Sequence, residues 1–158
     1  METLESVYKT INKVIEKTLI VIFSLLVIDV LGQVFSRYVL SNSPSFTEEF
    51  ARFSLIWLSI LGMAYLNGQK AHLTMDYLYQ KFSKEKQKKV SIIIESLIML
   101  FAFVVLIIGG GNLVYITLSL GQISSALHVH LGYVYAIVPI SGVLIIFYSI
   151  YNILKERT

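Results

Sequence analysis

The sequence contains no cysteine, little charge and only two prolines among its 158 residues. Without cysteine the chain has no disulfide, no thiolate nucleophile and no cysteine-ligated metal, and its redox compartment stays undecided. Charged residues make up 15% of the chain, compared with about 25% in soluble domains. Hydrophobic residues make up 56%, compared with roughly 45–50% in soluble domains. This imbalance predicts a membrane protein.

Four apolar runs are candidates for crossing a bilayer, whose ~30 Å hydrocarbon core needs about 20 helical residues. They predict spans at about residues 18–40, 50–66, 90–113 and 131–154. The first run follows several lysines, but Asp29 interrupts it and no small-residue cleavage site follows, so we expect an uncleaved anchor. The sequence therefore predicts an all-α integral membrane protein with a single membrane domain over residues 1–158.

The lysine and arginine residues predict how the four spans are oriented. Of the 13 such residues, all but Arg37 and Arg52 fall before the first span, between the second and third, or after the fourth. The positive-inside rule then places both termini in the cytoplasm. Because membrane topology accounts for the net charge of +3, we expect no nucleic-acid partner.

Two segments on the predicted cytoplasmic side have amphipathic patterns. Residues 1–17 carry apolar side chains at helical spacing, with Lys9, Lys13 and Lys17 on another face. This pattern favours an amphipathic interfacial helix, with a straight extension of the first span as the alternative. Residues 72–82 form a short amphipathic segment between the second and third spans, after which Ser83 can cap a helix.

The glycine run that includes Gly109 and Gly110 has three interpretations: a close helix contact, a bend, or small residues in a long tilted helix. We favour close packing, because small residues often line contacts between membrane helices.

No catalytic or metal site can be assembled on one side of the membrane. His72 falls on the cytoplasmic side, whereas His128 and His130 fall on the other, so the three cannot share a metal and a haem-bearing anchor is disfavoured. No phosphate-binding glycine loop or nucleophilic triad is present either. We predict that the chain is not an enzyme and has no catalytic residue, metal ligand or cofactor.

Asp29 is the most unusual residue, because an ionised carboxylate near the middle of a span costs about 2.5–3.5 kcal/mol on insertion scales. It could be hydrogen-bonded to a neighbouring helix or subunit, helped by Gln33 one turn later. Alternatively, it could be the proton and substrate site of a small proton-coupled transporter that acts alone. We favour the first interpretation, since intramembrane polar groups also serve as helix contacts.

The stretch between the first two spans contains a helix-start signal. Ser45 and Glu48 fit the S-x-x-E capping box, and Pro44 precedes them. This spacing predicts that the second helix is capped by Ser45.

The same stretch concentrates charge. The charge-free part of the second span, residues 53–66, is shorter than the ~20 residues needed to cross upright, so Arg52 must lie at or inside the interface. Charges there are more costly unpaired than at a soluble surface. We expect a shared network of Arg37, Glu49 and Arg52 within a structural charge cluster. The cluster comprises Arg37, Glu48, Glu49 and Arg52.

Taken in order, these features resemble the DctQ-type small membrane subunit of tripartite ATP-independent periplasmic (TRAP) transporters. The resemblance rests on Arg37, Tyr38, Glu48, Glu49, Arg52, Trp57, Leu61, Gly62, His72, Asp76, Ser125, Ala126, Leu127, Tyr135 and Pro139. Phe46 stands where the family usually has tryptophan, and His130 and Gly132 stand where proline and an aromatic residue are common. These departures concern contacts at the outer face.

The resemblance implies a multi-pass protein of the bacterial inner membrane that acts as a scaffold for the large permease subunit. It implies sodium-coupled uptake of an organic acid, of the dicarboxylate or sialic acid type, delivered by a periplasmic binding protein. Sodium ions are expected in the large subunit and not in this chain. The expected subunit contacts are Asp29, Gln33, Trp57, Gly62, Gly109 and Gly110. The expected docking residues for the binding protein are Ser43, Ser45, Phe46, Gln122, Ser125, His128 and His130.

Overall fold

The computed structural model describes residues 2–39, 44–69 and 84–157, which are almost entirely helical. The elements in chain order are α1 (Glu2–Val39), α2 (Ser45–Gly68), α3 (Lys84–Phe101), a π-helical segment (Ala102–Gly109), α4 (Gly110–Ser119), α5 (Leu131–Tyr135) and α6 (Ile137–Arg157). In these residues the only strand-like pairing is an isolated bridge between Ile123 and His130.

Four stretches of helix are long and apolar enough to cross a membrane: Leu4–Val39, Ser45–Gly68, Lys86–Ser119 and Leu131–Lys155. The predicted all-α fold with four membrane-spanning helices is therefore confirmed. Many large apolar side chains stay exposed, such as Ile28 and Leu31 of α1, because lipid tails are as apolar as a protein core.

With four spans, both chain termini lie at one end of the bundle, which we call the terminal end. The opposite end, which we call the loop end, contains Pro44 and the connection between α4 and α5. Their placement on the cytoplasmic and outer sides stays a prediction from the distribution of charge.

The helix α1 runs unbroken from Glu2 to Val39, so its first turns are the straight extension rather than a separate interfacial helix. The hydroxyl of Tyr8 donates to the carbonyl of Gly68 at 2.8 Å, and the Tyr8 ring stacks on Tyr151 with centroids 4.2 Å apart. One turn later, the Tyr148 hydroxyl donates to Asn12 Oδ1 at 2.6 Å. These contacts hold the start of α1 against the bundle.

The central helix is α6, which packs against α2, α3 and the π-helical segment. Its Ile145 joins Ala64, Ala102 and Leu106 in the buried core. The close approach depends on small residues: a Cβ at Gly142 would lie 2.9 Å from side-chain atoms of Ile107 and Leu106.

The glycine run packs closely at one position. A Cβ built on Gly110 would lie 2.7 Å from Cγ1 of Val138 and 3.1 Å from Cδ of Pro139. At Gly109 the nearest such atom is a carbonyl oxygen at 3.7 Å, and at Gly111 there is none within 4 Å. Close packing is thus confirmed for Gly110, against α6 of the same chain.

The predicted capping box at Ser45 is wrong. The N-cap of α2 is Pro44, in an extended conformation and without a side-chain cap. The helix begins one residue earlier than the box requires, so Ser45 already lies in its first turn. Instead, the hydroxyl of Thr47 donates to the Pro44 carbonyl at 2.7 Å. The predictions for Ser43, His72, Asp76, Ser83 and the amphipathic segment 72–82 lie outside the described residues.

Candidate functional site at the two ends of the bundle

The carboxylate of Glu49 ties the first turns of α2 to the connection between α4 and α5. Its Oε2 accepts hydrogen bonds from the Ser124 hydroxyl and from the backbone N–H groups of Ala126 and Leu127, both at 3.0 Å. Its Oε1 accepts from the N–H of Ser125 at 3.2 Å. Successive N–H groups of this kind form an anion-binding concavity, here occupied by the chain's own carboxylate. We call this arrangement the Glu49 clasp.

The backbone of the connection is folded so that its N–H groups face Glu49. The N–H of Ser124 bonds to the carbonyl of Val129 at 2.9 Å, and the N–H of Leu131 bonds to that of Gln122 at 3.0 Å. These bonds close a hairpin whose tip is residues 125–128. His128 adopts a φ of 55°, which is uncommon outside glycine although histidine is among the residues that tolerate it. The hairpin therefore leaves the tip donors available to a carboxylate.

The four residues of the predicted charge cluster do not meet in one network. Arg37 Nη2 lies 3.5 Å from Glu48 Oε1, and both side chains are at least half exposed. Arg52 is exposed and makes no ion pair with a described residue. Glu49 belongs to the clasp instead, so the structure contradicts the expected network of Arg37, Glu49 and Arg52. A carboxylate can accept charge-assisted hydrogen bonds from backbone N–H groups as well as from charged side chains. The pattern of residue types did not indicate that Glu49 would bind backbone groups.

Asp29 is bonded within the chain. The side-chain amide of Gln33 donates to Asp29 Oδ2 at 2.6 Å and to the backbone carbonyl of Thr47 at 3.0 Å. The pair thus connects α1 to the first turn of α2. This geometry fits the interpretation of Asp29 as a helix contact.

Of the other predicted subunit contacts, Trp57 and Gly110 make contacts within this chain, whereas Gly62 does not. The indole N–H of Trp57 donates to the carbonyl of Val134 at 3.0 Å and joins α2 to α5. A Cβ at Gly62 would meet nothing within 4 Å, so the surface of α2 beside Gly62 is open in this chain. Gly110, in contrast, packs against Val138 and Pro139 of α6.

Most of the predicted docking residues lie together at the loop end. Those exposed there are Ser45, Phe46, Gln122, Ser125, His128 and His130. The His130 ring packs edge-on against Tyr133, with centroids 5.9 Å apart, and Nδ1 of His128 lies 3.2 Å from the carbonyl oxygen of Ala126. The Glu49 clasp stabilises this surface, because it binds the backbone of the connection on which four of these residues lie.

A buried polar cluster at the terminal end links α2, α3 and α6. The Glu95 residue is only 4% exposed, and its Oε1 accepts from the side-chain amide of Asn152 at 2.9 Å. The same amide donates to the carbonyl of Asn67 at 3.2 Å, and the Asn67 amide donates to the Ser149 hydroxyl at 3.2 Å. Glu95 Oε2 has no hydrogen-bond partner among the described residues. The sequence shows each member of this cluster as an isolated polar residue in an apolar run. Only the packing of the helices shows that these residues contact each other.

Together these contacts indicate that the polar side chains stabilise the fold rather than form a catalytic site. In the described part of the chain, no group of three or more histidine, aspartate or glutamate residues could hold a metal ion. The buried polar cluster and the Asp29–Gln33 pair join one helix to another, and the Glu49 clasp joins α2 to the connection between α4 and α5. Such cross-helix hydrogen bonds commonly hold membrane helices together.

Comparison with known proteins identifies the family. The family model of tripartite ATP-independent periplasmic transporters, DctQ component, matches residues 26–158. One relative from Haemophilus influenzae, named as a TRAP transporter small permease protein, is 25% identical over 120 residues, which are 76% of this chain and 71% of the relative. A second relative of the same description and organism is 26% identical over 135 residues, 85% of this chain and 82% of the relative.

The match covers most of the chain, including the residues of the Glu49 clasp and the buried polar cluster. Its family consists of transporter membrane subunits and is not an enzyme family. Together with four helices able to cross a membrane, this makes the protein a multi-pass protein of the bacterial inner membrane. The chain belongs to the DctQ component family of tripartite ATP-independent periplasmic transporters and is a TRAP transporter small permease subunit.

Proposed function

We propose that the chain is a scaffold that braces a large TRAP permease subunit and carries no substrate itself. The transport reaction would be sodium-coupled uptake of an organic acid, such as a dicarboxylate or sialic acid, delivered by a periplasmic binding protein. The observation that supports this role is that Gln33, Asn67 and Asn152, three strongly polar side chains within the described membrane helices, each bond to another helix. Asp29 and Glu95 take part in the same contacts, as acceptors from Gln33 and Asn152.

The contrast with a transport site supports the scaffold role. Transporters commonly bind substrate where helices are broken and expose backbone and polar groups near the membrane midplane. The π-helical segment Ala102–Gly109 is irregular in this chain, but it contains only apolar side chains and glycine. It therefore offers no side-chain ligand for an organic acid or a cation.

The alternative of a stand-alone proton-coupled transporter depends on Asp29. That carboxylate accepts a hydrogen bond from Gln33, which is itself held by the carbonyl of Thr47. This arrangement gives the Asp29 carboxylate a structural role that requires no proton transfer. The fixed Asp29–Gln33 pair favours the scaffold.

The surface of α1 supports it as the contact face for the large subunit. In the most apolar stretch of Leu4–Val39 only 6% of the residues are buried within this chain, compared with 39% for Leu131–Lys155. Because α1 contributes so few residues to the core of the chain, its surface is available to contact a partner subunit as well as lipid.

Reconstitution tests the scaffold role. The chain is co-expressed with the large subunit, and uptake into proteoliposomes is measured with binding protein and a sodium gradient. We expect uptake only with both membrane subunits, and Asp29→Asn should retain most of it because an amide can still pair with Gln33. Uptake by this chain alone, or loss of uptake in Asp29→Asn with the complex still assembled, would contradict the proposal.

We also propose that the loop end is the periplasmic docking surface for the binding protein. The Glu49 clasp holds the connection in one shape, and a preformed surface loses less entropy on binding. Since the chain has no cysteine, single variants Ser125→Cys and His128→Cys can each carry one crosslinker. Both should crosslink to the binding protein, whereas Ser6→Cys at the terminal end should not. Equal crosslinking at all three positions would refute docking at the loop end.

A further inference from the structure

The first turns of α1 carry a row of lysines on one side of the helix. Lys9, Lys13 and Lys17 follow at intervals of four residues along one unbroken helix, so successive side chains are about 6 Å apart along the axis. A shallow surface depression of ≈ 300 Å³ runs along this row. It is lined by Ser6, Lys9, Thr10, Lys13, Val14 and Lys17.

This row faces away from the rest of the chain. At about 100° per residue, Lys13 lies on the side of α1 opposite Ile15, which is buried against the bundle. Tyr8 and Asn12 also point to the bundle, where they bond to Gly68 and Tyr148. The lysine row is therefore open to whatever surrounds the protein at this level.

The position along α1 places Lys13 and Lys17 at the depth of lipid headgroups. Lys17 is the last charged residue before Asp29, and Ile20, Val21 and Phe23 in the uncharged run that follows are each more than half exposed, so the hydrocarbon boundary lies close to Lys17. Each headgroup layer is roughly 5–8 Å thick. Lys17 and Lys13, about 6 Å apart along the axis, both fit within one such layer.

The acidic residues on this part of α1 lie to one flank of the row. Lys9 Nζ is 2.9 Å from Glu5 Oε1, so Lys9 is already paired. Glu16 is exposed and falls on the same flank as Glu5. No ion pair with a described residue is found for Lys13 or Lys17. The positive charge is thus concentrated on the side of the depression that Thr10 and Val14 border.

We propose that this depression binds the headgroup phosphate of an anionic phospholipid of the phosphatidylglycerol class. The ammonium groups of Lys13 and Lys17 supply the charge, and the acyl chains lie along the exposed apolar surface of α1 that follows. Charge complementarity at headgroup depth identifies the partner as a lipid. The proposal depends on the membrane location of α1 and not on the scaffold role.

The test compares lipid retention by native mass spectrometry of the purified full-length chain in micelles containing phosphatidylglycerol or phosphatidylcholine. The wild-type chain should retain phosphatidylglycerol in preference. Because each lysine near an anionic surface contributes about 1 kcal/mol, Lys13→Gln with Lys17→Gln should weaken retention by about 10- to 30-fold. The matched control is Lys88→Gln with Lys89→Gln, which removes the same charge from exposed positions on α3 and should leave retention unchanged.

Further variants separate a specific site from general effects. Lys13→Arg with Lys17→Arg should retain the lipid, and Lys9→Gln should change retention by less than about threefold, because Lys9 is paired with Glu5. Equal retention of the two lipids, or equal loss in both glutamine pairs, would overturn the proposal. Displacement of the lipid by millimolar inorganic phosphate would also overturn it, since the site would then bind the free anion.

Discussion

Replacing Gly110 by alanine tests the packing of α4 against α6 at a single atom. The added Cβ would lie 2.7 Å from Cγ1 of Val138, well inside contact distance. Val138 is β-branched and stiff, and the ring of Pro139 at 3.1 Å cannot rotate away. The backbones of α4 and α6 must therefore move apart.

The expected cost follows from two opposing terms. Forcing an extra methyl group into a packed contact costs typically about 1–3 kcal/mol. Alanine in place of glycine within a helix gains about 0.8–1.0 kcal/mol. Gly111→Ala gains the second term without the first, because nothing lies within 4 Å of its Cβ. The two variants should thus differ in free energy of unfolding by about 1–3 kcal/mol.

The measurement is unfolding of the purified chain in detergent, followed by circular dichroism of the helices. A double-mutant cycle with Val138→Ala identifies the clash, since Gly110→Ala should cost less when Val138 is already truncated. If Gly110→Ala is as stable as Gly111→Ala, or if Val138→Ala fails to reduce its cost, the close contact is not a determinant of stability.

Three further substitutions probe the other contacts. Asn152→Ala removes the donor to buried Glu95 and should cost about 1–3 kcal/mol in the same unfolding assay, whereas Asn112→Ala at an exposed position should cost little. Tyr148→Phe deletes one hydrogen bond to α1 and should cost about 1 kcal/mol, with faster amide exchange confined to the first turns of α1; exchange unchanged there would contradict the role of that bond. Glu49→Gln removes the charge from the Glu49 clasp, so amide exchange at the tip of the connection should increase; exchange equal to that of the wild type would show that the clasp does not order the tip.

The fold was largely predictable because it follows from long apolar runs. Four apolar runs of about 20 residues have the length of membrane-spanning helices, which satisfy every backbone group within their own segment. The continuity of α1 was not decidable from its first residues, whose amphipathic pattern fits both an interfacial helix and an extension. The deciding contacts join Tyr8 to Gly68 and Tyr151, which are distant from it in sequence.

The site was predictable only in part, for a reason that Glu49 illustrates. Its importance could be inferred from its place near a helix start, but three of its four donors are backbone N–H groups 76 to 78 residues further along. Every residue has such a group, so no pattern of side chains identifies them. The capping box failed because the helix begins one residue earlier than the box requires, with Pro44 as its N-cap, so Ser45 is already in the first turn.

The helices α1 and α2 are fastened to each other near both ends, by Gln33 to Thr47 at the loop end and by Tyr8 to Gly68 at the terminal end. Between these points α2 spans about 32 Å at 1.5 Å per residue, close to the thickness of a hydrocarbon core. Helices normally meet a thinner or thicker bilayer by changing their tilt. Two helices joined at both ends cannot tilt independently, so they must meet a change of membrane thickness as one unit, by tilting together or by deforming the lipid around them.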